Sequence, residues 1–309
     1  MADRLIPRLE AIGVGVRRGG KQVVEGIDLS LEAGECLGVA GANGAGKSTL
    51  LAALAGFISI SSGEVRIEGE PLKGKGRVPV QVGFASQELI FYPRLSAREN
   101  LRLFGSMYDL AGPQLDDRIE ELVAGFDLEE WADRPASTYS GGIGRRLHLA
   151  LAMIHSPRLL FLDEPTVGLD SASRRVLLHS IDEQRSRGTT VILTSQILVD
   201  LETVADRMLV LSRGRSAILE PTAELIARLG SGQIDIELAR HPADEFSLNG
   251  VPGVLDWDLD ADGVLHTRAK NPPETLPALL ARLEEQGLVA VKIEVLPPSL
   301  QQLLEELAL

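Results

Sequence analysis

One short run of residues limits the fold of this chain more than anything else in it. Gly41-Ala42-Asn43-Gly44-Ala45-Gly46-Lys47-Ser48 fits the pattern G-x-x-x-x-G-K-S/T without mismatch. The residues before it, 35–40, have the character of a buried strand, and residues 48–56 read as a helix stopped by Gly56. A glycine loop between a strand and a helix turns successive backbone N–H groups into one concavity, and the helix adds its positive N-terminal end. Gly41, Asn43, Gly44, Ala45, Gly46 and, in the first helical turn, Thr49 are therefore candidate phosphate contacts. Lys47 is suited to reach the outer phosphates, and the Ser48 hydroxyl to hold Mg²⁺. A strand, loop and helix in that order demand an α/β architecture.

Further apolar runs support it. Leu159–Leu162 and Thr190–Thr194 have the continuous apolar character of buried parallel strands, and residues 207–211 are a weaker example. Strands alternating with helical segments predict a P-loop nucleotidase core with a largely parallel sheet. The first of these runs ends in Asp163-Glu164, and acids at a strand's carboxyl end can face the crevice where α/β sheets bind ligands. There Asp163 would orient Mg²⁺ and its waters, and Glu164 would polarise an attacking water. Residues 96–154 are mostly helix-like, with helices expected at 118–126 and 145–154, which predicts a helical subdomain at about 90–157.

Composition shifts near Pro221. A helix at 223–229 and the break Gly230-Ser231-Gly232 precede strands at 233–238 and on both sides of the hairpin signal Asp260-Ala261-Asp262-Gly263. A helix at 275–286, a strand at 289–295 and a last helix at 299–307 follow. The expected division is thus a nucleotide-binding domain at 1–220 and a small C-terminal α+β accessory domain at 221–309.

Charge removes some functions. The chain has 31 basic and 44 acidic side chains, a formal net charge of −13. That argues against nucleic acid, which is held by clusters of Lys and Arg, and against adhesion to anionic lipid. Cys36 is the sole cysteine, so neither an internal disulfide framework nor a multi-cysteine zinc site is available. The five histidines, His148, His155, His179, His241 and His266, form no ligand pattern, and Trp131 and Trp257 read as packing residues. No apolar stretch reaches the roughly 18 residues needed to span a bilayer, and Met1-Ala2-Asp3-Arg4 opens no signal peptide. The expectation is a soluble, cytoplasmic chain whose membrane portion, if its work needs one, comes from another polypeptide.

The stretch Tyr139-Ser140-Gly141-Gly142-Ile143-Gly144-Arg145-Arg146, upstream of Asp163, narrows the field. It resembles the signature motif of ATP-binding cassette (ABC) ATPases. Other landmarks of that family follow its order: Gln87 in Ser86-Gln87-Glu88-Leu89 is similar to the glutamine loop, Gly168-Leu169-Asp170 to the D-loop, and Thr194-Ser195-Gln196 to the switch-histidine loop. The resemblance covers residues 8–220. Residues 87–101, QELIFYPRLSARENL, and the tail Pro297-Pro298-Ser299-Leu300 look like segments of the ABC-2 type branch, the daunorubicin-resistance and multidrug exporters.

The resemblance implies antiparallel β and helical subdomains around the P-loop core. It also implies a homodimer or heterodimer with another ABC ATPase, each ATP lying between one chain's phosphate loop and the other chain's Ser140, Gly141 and Gly142. Asp170 would link the two sites, and Gln87 would join Ser48 and Asp163 at the metal. A separate transmembrane permease subunit would dock near residues 89–101, keeping the ATPase peripheral to the inner face of the cell membrane. Three positions depart from the family pattern. Gln196 stands where histidine is usual; its amide can donate a hydrogen bond but carries no proton or charge for catalysis, so hydrolysis would be slower or lean wholly on Glu164. In Val16-Arg17-Arg18-Gly19-Gly20 the adenine-stacking aromatic is absent, leaving the Arg18 plane as the stacking candidate. Ile143 replaces the usual glutamine. The alternatives are a degenerate or regulatory cassette with little turnover, and a soluble non-transport ABC ATPase; the single cassette and acidic balance weigh against the latter.

Overall fold

The computed structural model describes residues 6–72, 78–229, 232–242, 246–260 and 263–296. The expected final helix at 299–307, the break at Gly230-Ser231 and the middle of the hairpin at Ala261-Asp262 lie outside them. Two compact units are present, one running to Thr222 and the other beginning at Ala223.

The first unit runs β1 (Leu9–Arg18), β2 (Lys21–Leu31), β3 (Cys36–Gly41), α1 (Lys47–Leu54), β4 (Ser62–Ile67), β5 (Glu70–Pro71) and β6 (Val82–Ala85). Helices α2 (Ala97–Ser106), α3 (Gly112–Gly125) and α4 (Gly141–Met153) follow, then β7 (Leu159–Leu162), α5 (Ser171–Ser186), β8 (Thr190–Thr194), α6 (Leu198–Val204), β9 (Arg207–Ser212) and β10 (Arg215–Pro221). Strands β2-β1-β4-β5 make an antiparallel sheet, and β10-β9-β3-β8-β7-β6 a second sheet that is parallel except for β10. Every residue of β7 and β8 is buried, as strands covered on both faces require. Leu9, Val14, Ile27 and Leu31 share one core with Leu37, Val39, Leu50 and Leu54, all fully buried. Each such side chain contributes about 1.5–3 kcal/mol relative to exposure.

Register fixes where chemistry can occur. Ala85 pairs with Leu162, Leu162 with Leu193, and Val39 with Thr194. The residues that follow β6, β7, β8 and β3 therefore emerge along one edge of the sheet, the carboxyl edge where α/β proteins bind ligands. The opposite edge is stapled by polar groups. The Cys36 N–H donates to Asp206 Oδ2 at 2.8 Å, Arg185 Nη2 donates to Asp206 Oδ1 at 2.7 Å, and Thr190 Oγ1 donates to the Glu32 carbonyl at 2.8 Å.

Helix starts differ from the sequence reading. Helix α3 begins at Gly112, not residue 118, because Pro113 occupies a first-turn position whose N–H would have no intrahelical partner. For the same reason the C-terminal helix begins at Pro272 rather than residue 275. Helix α4 begins at Gly141, capped by Ser140, so the Ser-Gly-Gly stretch opens the helix and the apolar run from 145 continues it.

The second unit holds α7 (Thr222–Leu229, its first residue in the first unit), β11 (Gly232–Leu238), β12 (Val254–Leu259), β13 (Val264–Ala269), α8 (Pro272–Glu285) and β14 (Ala290–Leu296). The antiparallel sheet β12-β13-β11-β14 buries Ile234, Ile236 and Leu265 with Leu279 and Leu283 of α8. On the polar face, His266 Nδ1 lies 2.8 Å from Asp235 Oδ1 and Nε2 3.4 Å from Asp260 Oδ2. The bond to Asp235 raises the imidazole above its ordinary pKa, Asp260 adding to it. A group whose folded pKa lies above its unfolded value stabilises fully below about pH 6.5 and loses that contribution as pH rises through the folded value. Urea unfolding of the full chain should thus show a small loss of stability as pH rises above about 6.5 that Asp235→Asn removes. An unchanged slope in that variant would count against the pair.

Candidate nucleotide site

The phosphate loop leaves β3 at the sheet's carboxyl edge and turns into α1. Two of its glycines are irreplaceable on geometry. Gly41 has φ +150° and Gly46 φ +105°; a Cβ would lie 2.5 Å from the Leu211 carbonyl oxygen at the first and 2.9 Å from that of Val23 at the second. Gly46 caps α1 with no side-chain acceptor, so the first-turn N–H groups stay available to an anion. Lys47, 7% exposed, donates from Nζ to the carbonyls of Gly41 at 2.8 Å and Ala42 at 3.4 Å.

Two acids meet the loop from β7. Ser48 Oγ donates to Asp163 Oδ1 at 3.1 Å, and Thr194 Oγ1 donates to the same oxygen at 2.8 Å. That Thr194 oxygen also accepts the Glu164 N–H at 2.9 Å, so one hydroxyl fixes both acids, using its donor and an acceptor position. Glu164 is 3% exposed and sits in the left-handed region at φ +52°, a costly conformation for a non-glycine residue. Its Oε2 accepts the Gln196 N–H at 2.9 Å, which anchors the carboxylate. Burial raises the Glu164 pKa, opposed by the Gln196 N–H and by the Lys47 charge.

These groups line a cavity of about 340 Å³ containing Asn43, Gly44, Gly46, Lys47, Ser48, Thr49, Gln87, Glu164, Gln196 and Val23. Residues from five separate sequence segments thus converge, and with Asp163 behind Ser48 they include both acids and Gln87. Gly41 and Ala45 belong to the same loop but do not line the cavity. Nor does Arg18, an exposed residue at the end of β1; Val23, two residues into β2 past Lys21, lines it instead. The sequence carries no signal for Val23, whose approach to Gly46 is made across the fold.

Ser140, Gly141, Gly142 and Asp170 are not at the cavity lining in the single chain. They adjoin one another. Ser140 caps α4, its Oγ accepting from the Ile143 N–H at 3.4 Å, and Asp170 caps α5, its Oδ1 accepting from the Ser173 N–H at 2.8 Å. A Cβ at Gly142 would lie 3.2 Å from Ser173 Oγ, so the two helix starts are packed side by side. The Ser173 N–H bond lowers the Asp170 pKa. Among the described residues, no group of three or more His, Cys, Asp or Glu is placed to hold a metal, and no helix is long and apolar enough to cross a membrane.

The family model described as ABC transporter matches residues 24–167. The linearmycin resistance ATP-binding protein LnrL of Bacillus subtilis (strain 168) is 32% identical over 302 residues, covering 96% of this chain and 96% of that protein. The daunorubicin resistance ATP-binding protein DrrA3 of Streptomyces coeruleorubidus is 34% identical, covering 94% and 92%, and the Nod factor export ATP-binding protein I of Sinorhizobium fredii (strain NBRC 101917 / NGR234) is 30% identical, covering 95% and 83%. A solved structure titled as the ATP binding subunit of an ABC transporter superposes with a TM-score of 0.65 at 26% identity, over 72% of this chain and 93% of that one. With the phosphate loop, the paired acids and relatives aligned along nearly their whole lengths, this chain belongs to the ATP-binding proteins of ABC transporters, ATPases that couple ATP hydrolysis to transport.

Proposed function

We propose that the chain is the ATPase subunit of an exporter, working on a separate transmembrane permease. The observation that carries the catalytic part is the single Thr194 hydroxyl that holds Asp163 and Glu164 together above the phosphate loop. The loop N–H groups and Lys47 bind the phosphates of ATP. Ser48, Asp163 and Gln87 offer hydroxyl, carboxylate and amide oxygens, the hard donor set that suits Mg²⁺, and they would hold it; when bound, the ion neutralises phosphate charge. Glu164 orients and deprotonates the attacking water, and Gln196 both anchors Glu164 through its N–H and lines the cavity with its side chain.

The second half of the site comes from another copy of the fold. Ser140, Gly141 and Gly142 open a helix whose positive end suits an anion, yet they lie off the lining of their own chain's cavity. Their partner is the ATP of a second cassette, identical or different, with Asp170 at the junction. ATP then holds two chains together, and its hydrolysis releases them. The export reading is supported by relatives whose names include drug resistance and Nod factor export. Attachment to the membrane is through the permease, which leaves the chain on the cytoplasmic face.

The experiment is co-expression with a candidate multi-span permease, extraction in mild detergent and purification on a tag carried by the permease. The ATPase should co-purify, and its phosphate release should rise several-fold over that of the free chain. A chain recovered without any membrane protein, with unaltered turnover, would overturn the transport reading.

A further inference from the structure

The segment that leaves β6 is fastened to one face of α4. Arg145 is 8% exposed, and its Nη1 donates to the Gln87 carbonyl at 2.8 Å and to the Ser86 carbonyl at 3.4 Å. Burial lowers its pKa with no carboxylate acting against that shift. Among the described residues this buried cation is hydrogen-bonded to backbone carbonyls, a costly arrangement, and the shorter bond falls on the loop residue whose side chain lines the nucleotide cavity. One turn along the same helix, His148 Nδ1 accepts the Ile90 N–H at 2.8 Å. Burial holds that imidazole down at about 4, so the acceptor nitrogen is unprotonated at neutral pH. Just before Arg145, Gly144 leaves room for the segment to lie close: a Cβ there would meet Leu89 Cδ1 at 3.3 Å and Phe91 Cζ at 3.4 Å. Residues 144 and 148 are four apart and share a helix face, with 145 flanking it.

We propose that Arg145 is a positioning residue for Gln87, and that with Gly144 and His148 it fixes the glutamine segment against the helix that Ser140 caps. The proposal rests on the reading of Gln87 as a contact of the metal-bound nucleotide. Its physical content is that the backbone of Gln87 is referenced to α4 as well as to the strand before it. The same fastening reaches a separate apolar cavity of about 240 Å³, which both Ile90 and His148 line.

The test is a double-mutant cycle on the purified full chain. Arg145→Met and Gln87→Ala are made singly and together, and turnover is measured against both MgATP and free Mg²⁺. Arg145→Met should lower kcat about fivefold or more, raise the half-saturating Mg²⁺, and leave KM for ATP within about twofold, because it displaces a group that acts after binding. In the Gln87→Ala background the same substitution should change kcat by less than about twofold. Losses that multiply in the double variant would overturn the proposal while leaving the role of Gln87 standing. Full activity of Gln87→Ala itself would overturn both the proposal and the reading beneath it. Should Arg145→Met fail to fold, Gly144→Val serves in its place. It removes no hydrogen-bonding group, pushes on Leu89 and Phe91, and is expected to give the same non-additive pattern with Gln87→Ala.

Discussion

Phosphate release by a Glu164→Gln variant should fall by about two to four orders of magnitude while ATP continues to bind. The substitution changes no volume and leaves an amide oxygen to accept the Gln196 N–H, so the anchor of the side chain survives. What disappears is the group able to take a proton from water. Gln196 cannot replace it, being an amide, and among the cavity-lining residues no histidine stands near. The variant also removes a carboxylate from a buried pocket that receives a polyphosphate, so nucleotide should be held more tightly than in the parent chain. If the site is completed by a second chain, size-exclusion at saturating ATP should show the variant as a stable dimer. A variant that keeps ordinary turnover would remove Glu164 from the chemistry. A slow variant that stays monomeric at saturating ATP would leave the base intact but count against a site shared by two chains.

The second large effect concerns affinity. Lys47→Met should weaken ATP binding about tenfold to more than a hundredfold, the range expected when hydrogen bonds from a charged donor, each worth about 1.5–3 kcal/mol, are lost. The lysine is buried beside its own loop, its ammonium held by the carbonyls of Gly41 and Ala42, so it is poised for an anion at little further ordering cost. Methionine preserves the stem and its packing. The Gly41 carbonyl loses a partner, so a stability decrease of about 1–3 kcal/mol should accompany the loss of binding. Calorimetric titration with MgATP separates the two effects, because thermal unfolding without nucleotide reports only the second. Unchanged affinity would remove Lys47 from phosphate recognition.

Parts of the molecule were legible in the sequence for identifiable reasons. Strands β7 and β8 match their apolar runs residue for residue, because strands buried on both faces carry continuous apolar sequence, Leu-Leu-Phe-Leu in β7 and Val-Ile-Leu between two threonines in β8. The phosphate loop is legible because its glycines answer to backbone geometry that few other residues satisfy. The antiparallel pair β1–β2 left a weaker trace: register shifts between Ala11 and Val14 and between Val14 and Val16 break the alternation a reader would search for. The starts of α3 and α8 are harder to read, because each helix opens with proline in its first turn, ahead of its apolar period.

The site divides in the same way. Glu164, Gln87 and Gln196 sit in short motifs, and the fold brings all three to one cavity with the loop. Contacts that span the fold leave no local mark. The Thr194 hydroxyl shared by two acids, the Val23 wall and the Arg145 bond to Gln87 each join residues far apart in the chain. Arg18 shows the reverse. The absence of an aromatic singles it out in the sequence, and its exposed position at the end of β1 is off the cavity lining of the single chain.

The two edges of the parallel sheet have a consequence for how such a chain can change over time. Every group that meets the nucleotide cavity from β3, β6, β7 and β8 lies past the strands' carboxyl ends, whereas the Asp206, Arg185 and Thr190 contacts lie at their amino ends. The groups that fasten the sheet and the groups that meet the nucleotide therefore lie at opposite ends of the same strands. Descendants of this chain can trade the amino-edge pairs for others suited to a hotter, colder or saltier habitat while the chemistry at the far edge stays as it was.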